Sequence, residues 1–435
     1  MDRRIFLVLL LAGCAGPAPP PLPKAPPQAA APAVPPPAPA TAPSPAPAPT
    51  PPLADADFDS WRTSFHAKAL AAGISGPVLE RELAGVTPNP RVISLDSAQP
   101  EFSKPIGDYI KGVVSNDRIA RGQRYRSELP FWGPIEQQYG VPREILIAVW
   151  AMESAFGAVQ GDFDVVRSMS SLAYHGRRRN WAEGELISAL RIIQSGEASR
   201  AQLKGSWAGA MGQTQFLPSN YLSTAVDGDG DGRRDIWGSP NDALASAANL
   251  LAKGGWTRGG SWAREVTLPA SFDYSLTEGP KEAIGYWEGL GVRTADGQPW
   301  KPSEQGAPAQ LVAPQGASGP IFLLFPNHFA IRKYNNSTSY ALGIGLLADR
   351  FAGGAPLVKA WPVEQPMAIG DRIGAQTALA KLGFDPGAPD GVVGVNTRTA
   401  LRAWQKSRGL TADGYLSAEM VRRLNVEAGA LPAQN

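Results

Sequence analysis

The spacing of apolar residues predicts a mainly helical protein whose folded part begins near residue 55. The first helix carries four apolar residues at helical spacing, namely Phe58, Trp61, Phe65 and Leu70. Further helical patterns continue to about residue 355 and alternate with connections rich in Gly and Pro. Residues 301–320 are rich in Pro, Gly, Ala and Gln, and this composition predicts a surface loop. We therefore expect one large domain over residues 55–355.

A shorter unit follows this domain. Residues 356–366 contain several prolines and predict a linker. Residues 367–428 then show three short apolar patterns at helical spacing, separated by Gly- and Asp-containing turns. The chain is expected to end in a small domain of three helices.

The amino-terminal segment predicts export. Residues 1–14 contain two arginines, a short apolar run and small residues before Cys14, which is the pattern of a secretory signal. The run is too short to span a bilayer as a helix. Residues 11–14, LAGC, resemble the lipobox of bacterial lipoproteins, which implies cleavage before Cys14 and lipid attached to it. The lack of Asp after Cys14 points, in that family, to the outer membrane. An ordinary signal peptide with an incidental cysteine is the alternative.

Residues 15–54 consist almost entirely of Pro and Ala, with no aromatic residue. Such a segment cannot build a core and is expected to be a disordered tether. At ~3.1 Å per residue in polyproline II form, it could reach on the order of 100 Å.

Composition excludes some classes of protein. Charged residues make up 18% of the chain and the net charge is +2. The sequence therefore shows no basic face of the kind that would predict binding to nucleic acid. Cys14 is the one cysteine of the sequence, which excludes intrachain disulfides.

One carboxylate lies on an apolar helix face. Residues 143–157 predict a helix that begins after Pro142 and ends at Gly157. Helical spacing places Glu153 beside Val149, Trp150 and Phe156. Burial raises the pKa of a carboxyl group, and an acid that stays protonated near neutrality can protonate a leaving glycosidic oxygen. The alternative is a structural glutamate that is satisfied by a hydrogen bond or an arginine.

Four segments resemble, in order and spacing, the membrane-bound lytic murein transglycosylase B family. They are AMESAFG at 151–157, SWAGAMGQTQFLPS at 206–219, DGDGDGRRDIW at 227–237, and NHFAIRKYNNS at 327–337 followed by Tyr340. The resemblance spans roughly residues 57–350 and implies a lysozyme-like helical catalytic domain that cleaves peptidoglycan.

In that family a single glutamate, here Glu153, first acts as an acid. It protonates the oxygen between N-acetylmuramic acid and N-acetylglucosamine, and then acts as a base on the C6 hydroxyl, which closes onto C1. The resemblance also implies that five residues line the sugar groove, namely Ser206, Gln215, Tyr334, Asn335 and Tyr340. Packing or capping is the alternative role for each.

Most glycosidases pair two carboxylates across the bond. Asp162, Asp164, Glu183 and Glu185 are further candidates, but we expect them on solvated loops and helix faces. The hypothesis is that Glu153 works without a carboxylate partner. A muramidase that hydrolyses the same bond and a non-catalytic peptidoglycan-binding lipoprotein are the rival functions.

An acidic loop predicts a structural calcium ion. Asp227, Asp229 and Asp231 alternate with glycines as in the first half of a calcium-binding loop. The usual glutamate at position twelve is absent, and the family's variant implies Asp242 as the closing ligand. Two further ligands are expected: the backbone carbonyl of Arg233, and Asp235 directly or through water. An acidic turn without an ion is the alternative, and no organic cofactor is expected.

Residues 367–428 resemble the peptidoglycan-binding domain often fused to cell-wall enzymes, which implies a role in holding the substrate; a stabilising helical cap is the alternative. The expected partners are peptidoglycan glycan strands and, through Cys14, outer-membrane lipid, with the protein a monomer at the periplasmic face. Four tryptophans are expected to pack rather than bind sugar: Trp256, Trp262, Trp287 and Trp300.

Overall fold

The computed structural model describes residues 55–98 and 104–429. The predicted signal segment with Cys14 and the predicted tether lie outside these residues. Across the two described ranges, no helix combines the length and the apolar character needed to cross a membrane.

The described part of the chain is mainly α-helical, as the sequence predicts. The helices are α1 Asp55–Ala71, α2 Gly76–Leu83, α3 Pro90–Ala98, α4 Ile106–Val113, α5 Asn116–Glu128, α6 Trp132–Tyr139, α7 Arg143–Ser154, α8 Val165–His175, α9 Arg179–Gln194, α10 Pro218–Thr224, α11 Pro240–Lys253, α12 Ile284–Gly289, α13 Pro302–Gln305, α14 Pro326–Tyr334, α15 Thr338–Phe351, α16 Ile369–Lys381, α17 Val395–Ser407 and α18 Ala418–Glu427. The strands are β1 Phe163–Asp164, β2 Lys204–Gly205, β3 Ala263–Thr267, β4 Lys281–Glu282, β5 Arg293–Thr294, β6 Ala309–Val312 and β7 Ile321–Leu324.

The first core lies between helices α1–α3 and helices α8–α10. Phe58, Trp61 and Phe65 of α1 are buried in it, as their spacing predicts, whereas Leu70 is exposed and Ala69 takes the inward position. The segment between β2 and α11 also contributes buried residues, including Met211 and Phe216. The first core therefore includes part of the segment between β2 and α11, and this segment also contributes to the candidate active site.

The second core surrounds α7. Residues 145–151 are all buried, because α5, α11 and α15 pack around this helix. A helix that is apolar on every side must be enclosed by other elements. Tyr334 at the end of α14 packs against both the first and the second core, so the two cores meet beside α7.

A five-stranded antiparallel sheet in the order β4-β6-β7-β3-β5 closes the large domain. Strand β7 is buried on both faces: Phe322 and Leu324 face the second core, while Ile321 and Leu323 face a third core that includes α12. A strand covered on both faces needs a continuous apolar run rather than an alternating one.

The prediction of a surface loop over residues 301–320 is wrong. This segment contains α13 and strand β6, in which Ala309 and Leu311 are fully buried. The two residues alternate with polar Gln310 on a short strand, and the surrounding Pro and Gly residues obscure that alternation in the sequence.

Helices α16–α18 form the small carboxy-terminal domain around Leu379, Leu401, Trp404 and Leu424. The segment 356–366, predicted as a linker, connects it to the large domain without a helix or strand of its own. Trp361 of this segment is buried against the second core.

Two helix glycines provide a matched test of the packing. A Cβ added at Gly345 of α15 would lie 2.3 Å from the ring of Trp262, whereas one added at Gly184 of α9 would meet nothing within 4 Å. Gly345→Ala is expected to lower the free energy of unfolding by about 1–3 kcal/mol through overpacking. Gly184→Ala is expected to raise it by about 0.4–1 kcal/mol because it restricts the unfolded chain. Urea unfolding measures both, and equal effects would contradict the packing around α15.

Candidate active site

Helix α7 ends in an unusual turn directly after Glu153. The helix stops at Ser154, three residues before the predicted end at Gly157. Ala155, Phe156 and Gly157 then adopt left-handed backbone angles, with φ of 50°, 63° and 81°. Non-glycine residues in this region are strained and persist only where surrounding contacts hold them.

Two side chains hold the turn. The Ser154 hydroxyl donates a hydrogen bond to the Gln213 carbonyl at 2.5 Å and accepts one from the Gly157 amide at 2.8 Å. Arg121 of α5 donates to the Ala155 carbonyl at 3.1 Å, and its guanidinium lies 4.5 Å from the centre of the Phe156 ring. The end of the Glu153 helix is thus fixed to the segment 204–216.

That segment is a compact turn stabilised largely by its own backbone. The Ser206 amide donates to the Ala210 carbonyl, and the Ser206 hydroxyl accepts from the Ala210 amide at 3.1 Å. Gln215 has a φ of 49° and donates from Nε2 to the carbonyls of Gln160 and Gly212, both at 3.0 Å. Ser206 and Gln215 therefore lie on a segment that is tied to the Glu153 helix.

Gln213 is part of the framework of the site. It is buried, accepts a hydrogen bond from Trp150 Nε1 at 3.0 Å and donates to the Trp237 carbonyl at 3.1 Å. Both ends of its amide are therefore used inside the protein.

Glu153 lies where the two cores meet. Tyr340, in the first turn of α15, donates a hydrogen bond to Glu153 Oε1 at 2.5 Å. Burial raises the pKa of Glu153 to about 7, although the hydrogen bond from Tyr340 acts in the opposite direction. A carboxyl group with this pKa exists in both protonation states near neutral pH, so it can give and take a proton.

Tyr334 also lies close to Glu153. Its hydroxyl donates to the Thr214 carbonyl, and its ring centre is 5.9 Å from that of Phe216. Burial, and secondly the charge of Glu153, hold the pKa of Tyr334 well above its usual value. The structure thus brings Tyr334 and Tyr340 to Glu153, while Asn335 follows at the end of α14 with an exposed side chain.

Three of the four other candidate carboxylates have structural partners. Glu183 accepts hydrogen bonds from Trp61 and Lys68, Glu185 accepts two from Ser219, and Asp164 pairs with Arg200 and caps α8. The expectation that these groups are solvated is wrong for Glu183 and Glu185, which are buried. Asp162 is exposed, as expected.

The acidic loop gathers four carboxylates. One oxygen from each lies within 4.8 Å of the others, and the four residues are Asp227, Asp229, Asp231 and Asp242. Asp242 is buried and accepts backbone hydrogen bonds from Gly228, Asp229 and Asp235. Burial, and more weakly the charge of Asp229, raises the pKa of Asp242. Four clustered oxygen donors fit a hard divalent cation such as calcium.

The two remaining predicted ligands have other contacts. The Asp235 carboxylate accepts hydrogen bonds from the amides of Trp237 and Gly238, and the structure does not place it in the group of four. The Arg233 amide donates to Asp231 Oδ1 at 2.8 Å, which shapes the turn.

Sequence reasoning missed two residues that position Glu153. Ser154 is part of the motif at 151–157 and directly follows Glu153, so the sequence could have indicated its role. Arg121 lies on α5, more than thirty residues away, and no sequence pattern connects it with the site. The tryptophans behave as expected, since Trp262 and Trp287 are buried and hydrogen-bonded to protein groups.

A helical domain of lysozyme-like type, with a desolvated carboxylic acid that has two tyrosines near it, defines a class of acid–base enzymes that act on glycans. Comparison with protein families identifies the group within this class. The chain belongs to the transglycosylase SLT domain family, whose model matches residues 57–349. A peptidoglycan binding domain family matches residues 370–424. The resemblance noted in the sequence is thereby confirmed.

Individual relatives agree with this assignment. SltB3 from Pseudomonas aeruginosa, solved in complex with NAG-anhNAM-pentapeptide, is 46% identical with a TM-score of 0.80, covering 85% of this chain and 99% of that one. Membrane-bound lytic murein transglycosylase B from Escherichia coli K12 is 30% identical over 252 residues, which is 56% of this chain and 66% of that protein's length. Escherichia coli SLT35 in complex with calcium is 27% identical with a TM-score of 0.57, covering 67% of this chain and 92% of that one.

Replacing Glu153 tests its burial without any substrate. Below about pH 4.5 the carboxyl is neutral in both folded and unfolded chains. Between that pH and about 7 the folded protein keeps a proton that the unfolded chain loses, so wild-type stability falls as the pH rises. Glu153→Gln has no charge to bury and is expected to gain about 1–3 kcal/mol relative to wild type between pH 4 and pH 8.

Urea unfolding at both pH values measures this gain. Glu80→Gln, a change at an exposed position on α2, is the matched control and should show no such difference. An equal effect of Glu153→Gln at pH 4 and pH 8 would show that the carboxyl is well solvated in the folded protein.

Proposed function

We propose that the protein is a lytic transglycosylase of peptidoglycan. It cleaves the β-1,4 bond between N-acetylmuramic acid and N-acetylglucosamine without consuming water and leaves 1,6-anhydromuramic acid ends. The observation that carries this proposal is the Glu153 carboxyl, whose pKa lies at about 7 and which Tyr340 hydrogen-bonds. Family membership and the relative solved with an anhydro-sugar ligand support it.

Glu153 performs two proton transfers in this proposal. In its protonated form it donates a proton to the glycosidic oxygen as the C1–O bond breaks, and N-acetylglucosamine leaves with that proton as its hydroxyl. The resulting carboxylate then removes the proton of the muramic acid C6 hydroxyl as its oxygen bonds to C1. Tyr340 donates a hydrogen bond to the carboxylate between these steps, which stabilises its charge.

Glu153 works without a second carboxylate. Glu183, Glu185 and Asp164 are committed to buried or paired structural contacts, which supports this part of the proposal. The strained turn at residues 155–157 holds the acid in one position. Ser206, Gln215, Tyr334 and Asn335 line the sugar groove in this proposal, as the family resemblance implies.

The remaining domains bring the enzyme to its substrate. Residues 367–428 hold peptidoglycan and so raise the local concentration of glycan strands near the catalytic domain at residues 55–355. Lipid on Cys14 anchors the protein at the periplasmic face of the outer membrane, and residues 15–54 act as the tether. The name of the membrane-bound relative supports the anchor.

Calcium has a structural role in this proposal. The four carboxylates at Asp227, Asp229, Asp231 and Asp242 hold the ion, with further oxygen from the Arg233 carbonyl and from Asp235. Asp242 belongs to α11, which packs against α7. The ion thus fixes the acidic loop to a helix that supports Glu153.

Mass spectrometry of digested sacculi tests the reaction. Protein lacking residues 1–54 is expected to release fragments that end in 1,6-anhydromuramic acid. Glu153→Gln removes the proton donor and should lower this release by at least ~100-fold. Asp162→Asn, at an exposed carboxylate near the site segment, is the control and should retain wild-type release.

Other products would contradict the proposal. Reducing ends heavier by one water would identify a hydrolytic muramidase. Binding to sacculi without release by the wild type would indicate a non-catalytic protein. Loss of release in Asp162→Asn equal to that in Glu153→Gln would require a second catalytic carboxylate.

Removal of calcium tests the acidic loop. A chelator is expected to lower the melting temperature of the wild type by about 2–4 °C for each kcal/mol of binding that is lost. Asp242→Asn should melt lower and respond less to the chelator, because its buried ligand has lost its charge. Asp371→Asn, in the small domain, is the control and should respond like the wild type. If the chelator leaves the wild-type melting temperature unchanged, the proposal that this loop binds calcium is wrong.

A further inference from the structure

A cavity of about 280 Å³ lies between the large domain and the small carboxy-terminal domain. Thr277 and Glu278 of the large domain line it together with Arg398 and Arg402 of α17. Glu364 of the connecting segment 356–366 also lines it. None of the residues that line it belongs to the candidate active site around Glu153, and both domains contribute to the lining.

Direct hydrogen bonds hold its walls together. The Ala317 amide of the large domain donates to Asp413 Oδ2 of the small domain at 2.9 Å. The Tyr415 hydroxyl of the small domain donates to Glu364 at 2.5 Å. The domains approach so closely at Gly316 that an added Cβ would lie 2.3 Å from Asp413 Oδ2. The cavity is therefore preformed rather than created by a ligand.

The backbone of one wall is strained. Glu278 has a φ of 59°, and its amide donates to the Leu311 carbonyl at 2.8 Å. Within residues 55–98 and 104–429, the other non-glycine residues with positive φ are Ala155, Phe156 and Gln215, all at the candidate active site. Such strain costs of order 1–3 kcal/mol per residue and is concentrated at functional sites.

The acidic groups around the cavity are already occupied. Glu278 forms an ion pair with Arg398 at 2.5 Å. Glu364 accepts hydrogen bonds from Gln315 and Tyr415. Asp413 accepts three, from the Gln405 side chain and from the amides of Tyr415 and Ala317. Glu278 Oε2, Glu364 Oε2 and both carboxylate oxygens of Asp413 therefore have partners within the protein.

Two guanidinium groups in the wall lack a carboxylate partner. Arg402 donates to the Thr277 hydroxyl at 2.9 Å, while its buried Nε has no hydrogen-bond partner in the described structure. Arg372 donates to the carbonyls of Gly391 and Met367. Neither arginine forms an ion pair with a described residue. Planar guanidinium donors of this kind match a carboxylate ligand.

We propose that this cavity binds the free carboxylate end of a short aliphatic peptide. Arg402 and Arg372 receive the carboxylate, and the apolar side chains of Met367, Val393 and Leu416 receive the aliphatic part. The volume limits the ligand to about one or two small residues. The inference rests on the proposed function, since the stem peptides of peptidoglycan present this chemistry. The cavity then binds the peptide, while the candidate active site around Glu153 binds the glycan.

Binding of a model dipeptide tests the cavity. The probe is N-acetyl-D-alanyl-D-alanine, compared with its carboxy-terminal amide, and titration calorimetry uses the full chain in detergent. The acid is expected to bind at least ~10-fold more tightly than the amide, because only the acid offers a charged partner for the arginines. This comparison requires no variant, and equal affinity or no binding of the acid would overturn the proposal.

Matched arginine variants locate the binding. Arg402→Met should weaken binding of the acid at least ~10-fold, and Arg402→Lys should retain part of it. Arg423→Met, which removes an exposed arginine of α18 paired with Glu419, is the control and should bind as the wild type does. Equal binding by Arg402→Met and the control would overturn the assignment to this cavity.

Digestion of two substrates separates this inference from the proposed function. The two substrates are sacculi, which carry peptides, and glycan strands stripped of peptides. The wild type is expected to release more anhydro ends from the peptide-bearing substrate. Arg402→Met should lose this preference but should still release anhydro ends from the bare strands. If the wild type releases anhydro ends but Arg402→Met and Arg423→Met do not differ on either substrate, the peptide cavity alone is refuted. No anhydro ends from the wild type would refute the proposed function instead.

Discussion

The desolvation of the Glu153 carboxyl, in a residue that keeps part of its surface exposed, is the constraint on which the rest of the catalytic domain depends. Helix α7 is enclosed by α5, α11 and α15, so its one central carboxylate has to be accommodated where the first and second cores meet. Desolvation alone would disfavour the charge, and Tyr340 offsets part of this effect with its hydrogen bond. Helix α15, which helps to exclude water from α7, therefore also carries Tyr340, the hydrogen-bond donor that stabilises the ionised form of Glu153.

The same constraint explains the neighbouring framework. An acid with a raised pKa is useful only if it stays in one position, and a helix terminus would otherwise fray. Ser154, Arg121 and Gln213 use their hydrogen-bonding groups to hold the turn and the segment 204–216 together. Calcium, in our proposal, supports α11 from the outer side. Positioning of Glu153 is thus distributed over residues that themselves need not touch a sugar.

The sequence predicts the parts of this arrangement that depend on local spacing. The apolar repeats place α1, α7 and the three small-domain helices, and they put Glu153 on an apolar face. The sheet was not predicted because its strands are only two to five residues long. The burial of Glu183 was not predictable either, since its partners Trp61 and Lys68 are more than a hundred residues away in the chain. Tyr334 and Tyr340 were found by resemblance, because no local pattern assigns them to Glu153.

The doubly buried strand β7 has a consequence for how the chain avoids misassembly. Its run Ile-Phe-Leu-Leu, followed by Phe325, is uncharged and has a high preference for β-structure, which is the signature of an aggregation-prone segment while the sheet is still open. Pro320 and Pro326 stand at the two ends of this run. Proline has no amide proton to donate, so it stops strand pairing with another chain from extending in either direction. The segment that closes the catalytic domain thus carries its own protection against intermolecular assembly during folding.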